Sequence, residues 1–157
     1  TGQKARLRGL ELSGETPIGA GFGIIANLTV LSGKDADGAT LLNMSKQTLN
    51  LRAYYESGPW TLSLAGNQRS KFAIGNIGNG VLTQPSTTAG RAGQNMADAQ
   101  KSLAASVSYK FSDTLSLSVE GTNLTNPTYH YYSITPDLPL GWYKNGRQVY
   151  ATLRAKF

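Results

Sequence analysis

Apolar and polar residues alternate with period two along most of this chain, the mark of strands that put one face in each of two environments. The cleanest stretch runs from Ser102 to Phe111. Leu103, Ala105, Val107, Tyr109 and Phe111 share one face, and Ser102, Ala104, Ser106, Ser108 and Lys110 share the other. The next stretch sets Leu115, Leu117 and Val119 against Ser116, Ser118, Glu120 and Thr122. The last sets Val149, Ala151, Leu153, Ala155 and Phe157 against Gln148, Tyr150, Thr152, Arg154 and Lys156. Earlier in the chain, Phe22, Ile24, Ala26, Leu28 and Val30 share a face. Leu49, Leu51, Ala53 and Tyr55 oppose Asn50, Arg52, Tyr54 and Glu56, and Trp60, Leu62 and Leu64 oppose Ser63, Asn67 and Arg69. The first stretch, about Lys4 to Gly14, changes phase between Leu7 and Leu10, which predicts a bulge near Gly9.

These stretches predict seven strands, each of the ~9–11 residues that cross a bilayer when tilted. Their connections alternate in length. Thr16 to Gly21, Gly58-Pro59 and Ser112 to Thr114 are short, whereas Ser32 to Lys46, Ala73 to Gln100 and Leu124 to Asn145 are long loops. Short turns on one side and long loops on the other describe an up-and-down transmembrane barrel, with its turns in the periplasm and its loops outside the cell. Phe22, Tyr55, Trp60, Tyr109, Phe111 and Phe157 fall at the turn end on the apolar face, where an aromatic girdle belongs. The expected fold is therefore all-β, an antiparallel up-and-down transmembrane barrel segment of about seven strands from a larger barrel. The alternative is a soluble β-sandwich binding module whose aromatics are core.

Composition agrees with the barrel. Charged residues are 15% of the chain, below the roughly 25% of soluble domains. Its apolar runs are far shorter than the ~20 residues of a membrane-crossing helix. There is no cysteine, so no thiolate chemistry or disulfide. The net charge of +6 is scattered rather than clustered, which argues against a nucleic-acid partner. The chain starts at Thr1 with no leader pattern, and is expected to be a mature or truncated piece of a longer protein.

The segment Leu117-Ser118-Val119-Glu120-Gly121-Thr122-Asn123-Leu124-Thr125-Asn126, then Tyr129, then Gly146-Arg147-Gln148-Val149-Tyr150 and a terminal Phe157, resembles the closing pattern of TonB-dependent receptors. The middle segment SKQTLNLRAYYESGPWTLSLAGNQRSKF, residues 45 to 72, is similar to them as well. The resemblance covers about Gly9 to Phe157 and is nearest to large proteobacterial receptors, some of which take up carbohydrate. It implies a bacterial outer-membrane location, contact with outer-membrane lipid, and import of a scarce small-molecule nutrient such as a siderophore or carbohydrate. It also implies a plug domain, a TonB-contacting segment and a barrel of roughly 22 strands. Residues 1–157 correspond to the C-terminal part of such a barrel, without plug or earlier strands. An odd number of strands leaves open edges that lipid does not satisfy. The remaining strands are expected from the same protein, another chain or an oligomer. A partial sheet with no ligand of its own is the other reading of so short a segment.

No catalytic constellation, cofactor motif or metal set stands out, so an enzyme is not expected. Asp35, Asp37 and Gly38 hint at a calcium loop without the later Glu it needs. Gly75 to Gly80 is loop punctuation rather than a phosphate cradle. The best ligand candidate is the loop from Tyr129 to Tyr143, with Tyr129, His130, Tyr131, Tyr132, Trp142 and Tyr143. Flat faces with polar edges suit sugars or aromatic iron chelates, and an upper aromatic girdle is the competing role. Lone His130 is either a ligand contact or a solvated loop residue. Asn50, Arg52, Tyr54, Asn67, Arg69 and Glu120 are expected to line the lumen and to bond to one another and to a plug. The resemblance further implies that Tyr150, Leu153 and Phe157 form a C-terminal signal read by the barrel-assembly machinery.

Overall fold

The computed structural model describes residues 4–36, 38–76 and 93–156, all strand and connection with no helix. Asp37, most of the glycine-rich stretch and Phe157 lie outside these residues. Eleven strands form among the described residues: β1 (Ala5–Gly19), β2 (Phe22–Asp35), β3 (Gln47–Ser57), β4 (Trp60–Arg69), β5 (Phe72–Asn76), β6 (Gln94–Ala97), β7 (Gln100–Lys110), β8 (Leu115–Thr122), β9 (Tyr129–Ser133), β10 (Pro139–Tyr143) and β11 (Gln148–Ala155).

The seven strands expected from periodicity make one antiparallel sheet in the order β1-β2-β3-β4-β7-β8-β11. Its register keeps the two faces apart. Leu12, Leu28, Leu49 and Gln68 stand in one cross-strand row, while Ser13, Asn27, Asn50, Asn67 and Ser102 stand in the row beside it, on the opposite face. Leu103, Val107, Leu117, Val119 and Leu153 fall on the apolar face, and Ser106, Ser118 and Thr152 on the polar one. Serine hydroxyls knit the polar face, Ser63 to Ser106 at 2.8 Å and Ser108 to Ser118.

This sheet is a single layer. Leu10, Leu12, Leu51, Val149 and Leu153 are all more than 45% exposed, and no second sheet covers their face among the described residues. That excludes the sandwich, in which these residues would be core. Along β2 the apolar face runs from Phe22 to Val30, about 27 Å at a strand's rise per residue, close to the ~25 Å band of a membrane barrel. At the turn end the aromatics gather as expected. Phe22 meets Tyr55 at 4.6 Å, Trp60 meets Tyr109 at 4.6 Å, and Tyr109 meets Phe111 at 4.8 Å.

Three expectations need correction. No bulge occurs near Gly9: the β1–β2 register is unbroken from Ala5 to Pro17, and its one shift lies between Pro17 and Gly19. The phase change is real but has another cause. Past Leu10 the apolar-face positions become Arg8 and Arg6, while Leu7 and Leu31 belong to the other face. Leu31 lies over Gly9, where a Cβ would come within 2.6 Å of it. Secondly, β1 extends to Gly19, so the expected Thr16–Gly21 turn shrinks to Ala20-Gly21, with positive φ at both.

The third correction is larger. The long connections are not plain loops. β5 and β6 rise from β4 and β7, β9 and β10 from β8 and β11, and the four pair as a second sheet in the order β10-β9-β6-β5. Met96 opposite Tyr132 and Ala97 opposite Tyr131 join the two excursions. The third excursion reaches them through Asn43 N–H to the Ala73 carbonyl at 2.7 Å. The buried side chains among the described residues, Phe72, Ala73, Ala97, Tyr132 and Ser45, all lie in this second sheet or at its base.

Candidate functional site

β9 alternates its side chains, so its aromatics separate onto two faces. His130 and Tyr132 share one face, and Tyr129 and Tyr131 the other. β10 adds Trp142 opposite His130 and Tyr143 opposite Tyr129. His130 stacks on Trp142 with ring centroids 5.1 Å apart and planes 4° from parallel, and it meets Tyr132 at 5.3 Å. Tyr131 meets Tyr143 edge-on at 5.4 Å. All six residues singled out in the sequence are thus on one hairpin, but they are not equivalent.

Tyr132 is 3% exposed and is core of the second sheet. His130 is mostly covered, with Nδ1 3.7 Å from the Asp98 carboxylate. Asp98 returns a backbone bond, its N–H donating to the His130 carbonyl at 2.9 Å. His130 is therefore no solvated loop residue: it braces β9, β10 and the β6–β7 connection. Trp142 and Tyr143 remain, 59% and 56% exposed. Trp142 offers its outer surface while the imidazole fixes the inner one. Such a ring, held by a neighbour, loses little freedom when a flat ligand stacks on it.

The base of the hairpin is a polar lock. Asn123 and Asn126 both adopt positive φ, which Asn tolerates better than other non-glycine residues. The Asn123 amide donates to the Gly146 carbonyl, and the Asn126 side-chain oxygen accepts the Gly146 N–H at 3.1 Å. Arg147 donates through Nε to the Leu124 carbonyl at 2.7 Å. The Asn-Leu-Thr-Asn and Gly-Arg pieces, separate in sequence, thus close the excursion between β8 and β11. The two asparagines and the Gly-Arg pair were legible only as a pattern; their contact was not.

The six residues expected on the lumen all stand on the polar face, but among the described residues none bonds to another of the six. Tyr54 donates to Glu15 at 2.8 Å. Arg69 sits at the base of the second sheet, donating to the buried Ser45 hydroxyl at 2.8 Å with its guanidinium 3.7 Å above the Phe72 ring. It joins the two sheets. Neither Ser45 nor Phe72 carried a sequence signal beyond its place in the resemblance. Of the C-terminal set, Leu153 is 67% exposed on the apolar face, and the Tyr150 hydroxyl donates to Gln148 on the polar face. Asp35 accepts the Ala39 N–H at 2.8 Å, a turn cap.

A depression of about 740 Å³ lies on the apolar face, lined by Phe22, Tyr55, Leu62, Leu64, Val107 and Val149 among others. It is wide open, reaches Leu124 at the base of the hairpin, and has almost no polar group to orient a ligand.

The sequence matches the family described as TonB dependent receptor-like, beta-barrel, over residues 1–124. Among solved structures, the fold is similar to the siderophore receptor PiuA from Acinetobacter baumannii, with a TM-score of 0.66 and 17% identity. That alignment covers 99% of this chain and 22% of the receptor's, so this chain spans less than a quarter of the receptor's length. No curated protein matches the chain in sequence.

Proposed function

The chain belongs to the TonB-dependent receptor β-barrel family, a family of transporters rather than enzymes, and on that premise we propose that it forms the C-terminal part of an outer-membrane barrel that captures and imports a scarce small-molecule nutrient. The observation that carries this reading is the single-layer sheet, apolar on one face and hydroxyl-rich on the other, with its aromatic row at the turn end and its second sheet at the other. A face so exposed has no stable place in water and an ordinary one against acyl chains. The turn end then lies in the periplasm and the second sheet outside the cell. Trp142 and Tyr143 meet the ligand there, and the class that fits them is flat and partly polar: an aromatic iron chelate or a carbohydrate.

The free edges of β1 and β11 are completed by the other strands of the same protein, and a plug domain fills the polar interior. TonB acts through the N-terminal region that such a receptor carries. Leu153, Tyr150 and Phe157 are read by the assembly machinery, through pairing of the last strand with an edge of the assembly factor.

Expression of the full-length protein under nutrient limitation tests the function. Cells carrying it should accumulate a ferric chelate or an oligosaccharide from a panel of both, and lose that uptake when TonB is removed. Uptake that persists without TonB, or accumulation of no panel member, overturns the reading.

A further inference from the structure

Gly146 is held through both of its peptide units. Its N–H donates to the Asn126 side-chain oxygen at 3.1 Å, and its carbonyl accepts from the Asn123 amide. The residue before it is Asn145, exposed in the connection between β10 and β11. An Asn followed by Gly is chemically fragile in water, because glycine has no Cβ to keep its nitrogen away from the Asn side chain. The chain cannot escape this by placing a bulkier residue at 146. The φ of Gly146 is +78°, a left-handed conformation that other residues rarely adopt. A Cβ there would meet no atom within 4 Å, so the backbone and not the space demands glycine. The turn into β11 needs a reactive pair, and the fold grips the reacting nitrogen.

We propose that Asn145 is a latent deamidation site, held in check by the grip of Asn123 and Asn126 on Gly146. In the reaction the Gly146 nitrogen loses its proton and bonds to Asn145 Cγ. The Cγ–Nδ2 bond breaks, and the side-chain nitrogen leaves as ammonia, carrying that proton. Water then adds to the cyclic imide. Opening at Cγ leaves aspartate. Opening at the main-chain carbonyl leaves isoaspartate, whose backbone runs through the former side chain and is longer by a methylene. Nothing is oxidised or reduced. In the folded protein the attacking N–H is engaged with Asn126, and the next peptide unit is tied to Asn123. To reach Cγ the nitrogen must leave the first bond and swing against the second. Isoaspartate would move Gly146 out of step with both asparagines, so a single event opens the base of the aromatic hairpin. The contacts that set where the hairpin stands also set how long it lasts.

The test incubates the full-length protein in detergent at mildly alkaline pH. Peptide mapping by mass spectrometry follows deamidation and isoaspartate at Asn145, read separately from the pair Asn79-Gly80. The folded parent should react about tenfold or more slowly than the same protein unfolded in guanidinium chloride, given two hydrogen bonds to break. Asn126→Ala should speed the folded protein about fivefold, the rate equivalent of one such bond. Asn126→Asp keeps an acceptor oxygen and should stay close to the parent. Heat-modifiable migration on gels reads folding of each variant. Where Asn126→Ala does not fold, Asn123→Ala, which frees the Gly146 carbonyl, takes its place. Equal rates in the folded and unfolded parent overturn the proposal. So does a folded releasing variant no faster than the parent, or Asn126→Asp reacting as fast as Asn126→Ala.

Discussion

The Tyr54 hydroxyl donates to Glu15 at 2.8 Å across an intervening strand, its ring lying over Gly23. A Cβ at Gly23 would stand 2.2 Å from that ring, so β1, β2 and β3 are pinned together by a tyrosine that only a glycine admits. Tyr54→Phe removes only this solvent-exposed bond and should lower stability slightly. Gly23→Val displaces the whole ring and should cost about 1–3 kcal/mol. Urea unfolding midpoints of the full-length protein in detergent measure both, and a Gly23→Val midpoint no lower than that of Tyr54→Phe would contradict the packing.

Leu117 and Ser118 are neighbours on opposite faces. An arginine at Leu117 should cost ~2–4 kcal/mol, as for a cation on the lipid face of a barrel. The same change at Ser118 should cost much less. Folding titrations into lipid vesicles read the difference, and equal costs would mean that the faces are wrongly assigned.

Trp142 and Tyr143 are the exposed aromatics of the hairpin. Replacing both by Ala should weaken ligand binding by about 2 kcal/mol, roughly thirtyfold, at unchanged surface expression. Tyr132→Phe, which keeps the buried ring, should leave affinity as it is. Equal affinities for the double variant and the parent would assign the pair to packing.

The lock at the hairpin base gives a separate expectation. Asn126→Ala removes the acceptor of the Gly146 N–H and should cost about 1 kcal/mol. Its larger effect should be local: faster hydrogen exchange over residues 129–146 with β7 and β8 unaffected. Uniform exchange across the barrel would argue against a hinge-like base.

Lys110 bonds to Asp113 at 2.6 Å in the β7–β8 turn, and that hydrogen bond, with the lysine's charge, holds the Asp113 carboxyl below its usual pKa. The folded value is the lower one, so the pair contributes above the ordinary carboxylate range and is lost as pH falls through the depressed value. Both groups are exposed, so the effect on stability is small. NMR titration of Asp113 should show the depressed value, and Lys110→Gln should restore the ordinary one.

The seven long strands were legible because each meets two unlike media, and alternation is the imprint of that contrast. The second sheet left no such imprint. Phe72 and Ala73 are consecutive and both buried, so β5 has no polar face to mark its period. β6 and β9 are four and five residues long and find each other from opposite ends of a sequence gap that no local pattern bridges. The aromatic residues of the hairpin were visible as a cluster. Their division into a core tyrosine, a bracing histidine and two exposed rings depends on register with β6 and β10, which composition does not contain. At Gly9 the alternation changes because Arg8 and Arg6 follow Leu10 on the apolar face, while the backbone pairing continues unbroken.

β6 and β9 belong to different excursions yet pair residue by residue, Met96 with Tyr132 and Ala97 with Tyr131. The two segments are consequently one platform. A graft that imports only residues 129–143 arrives without the strand it was matched to, and should lose the β6–β9 pairing beneath the exposed rings of β10.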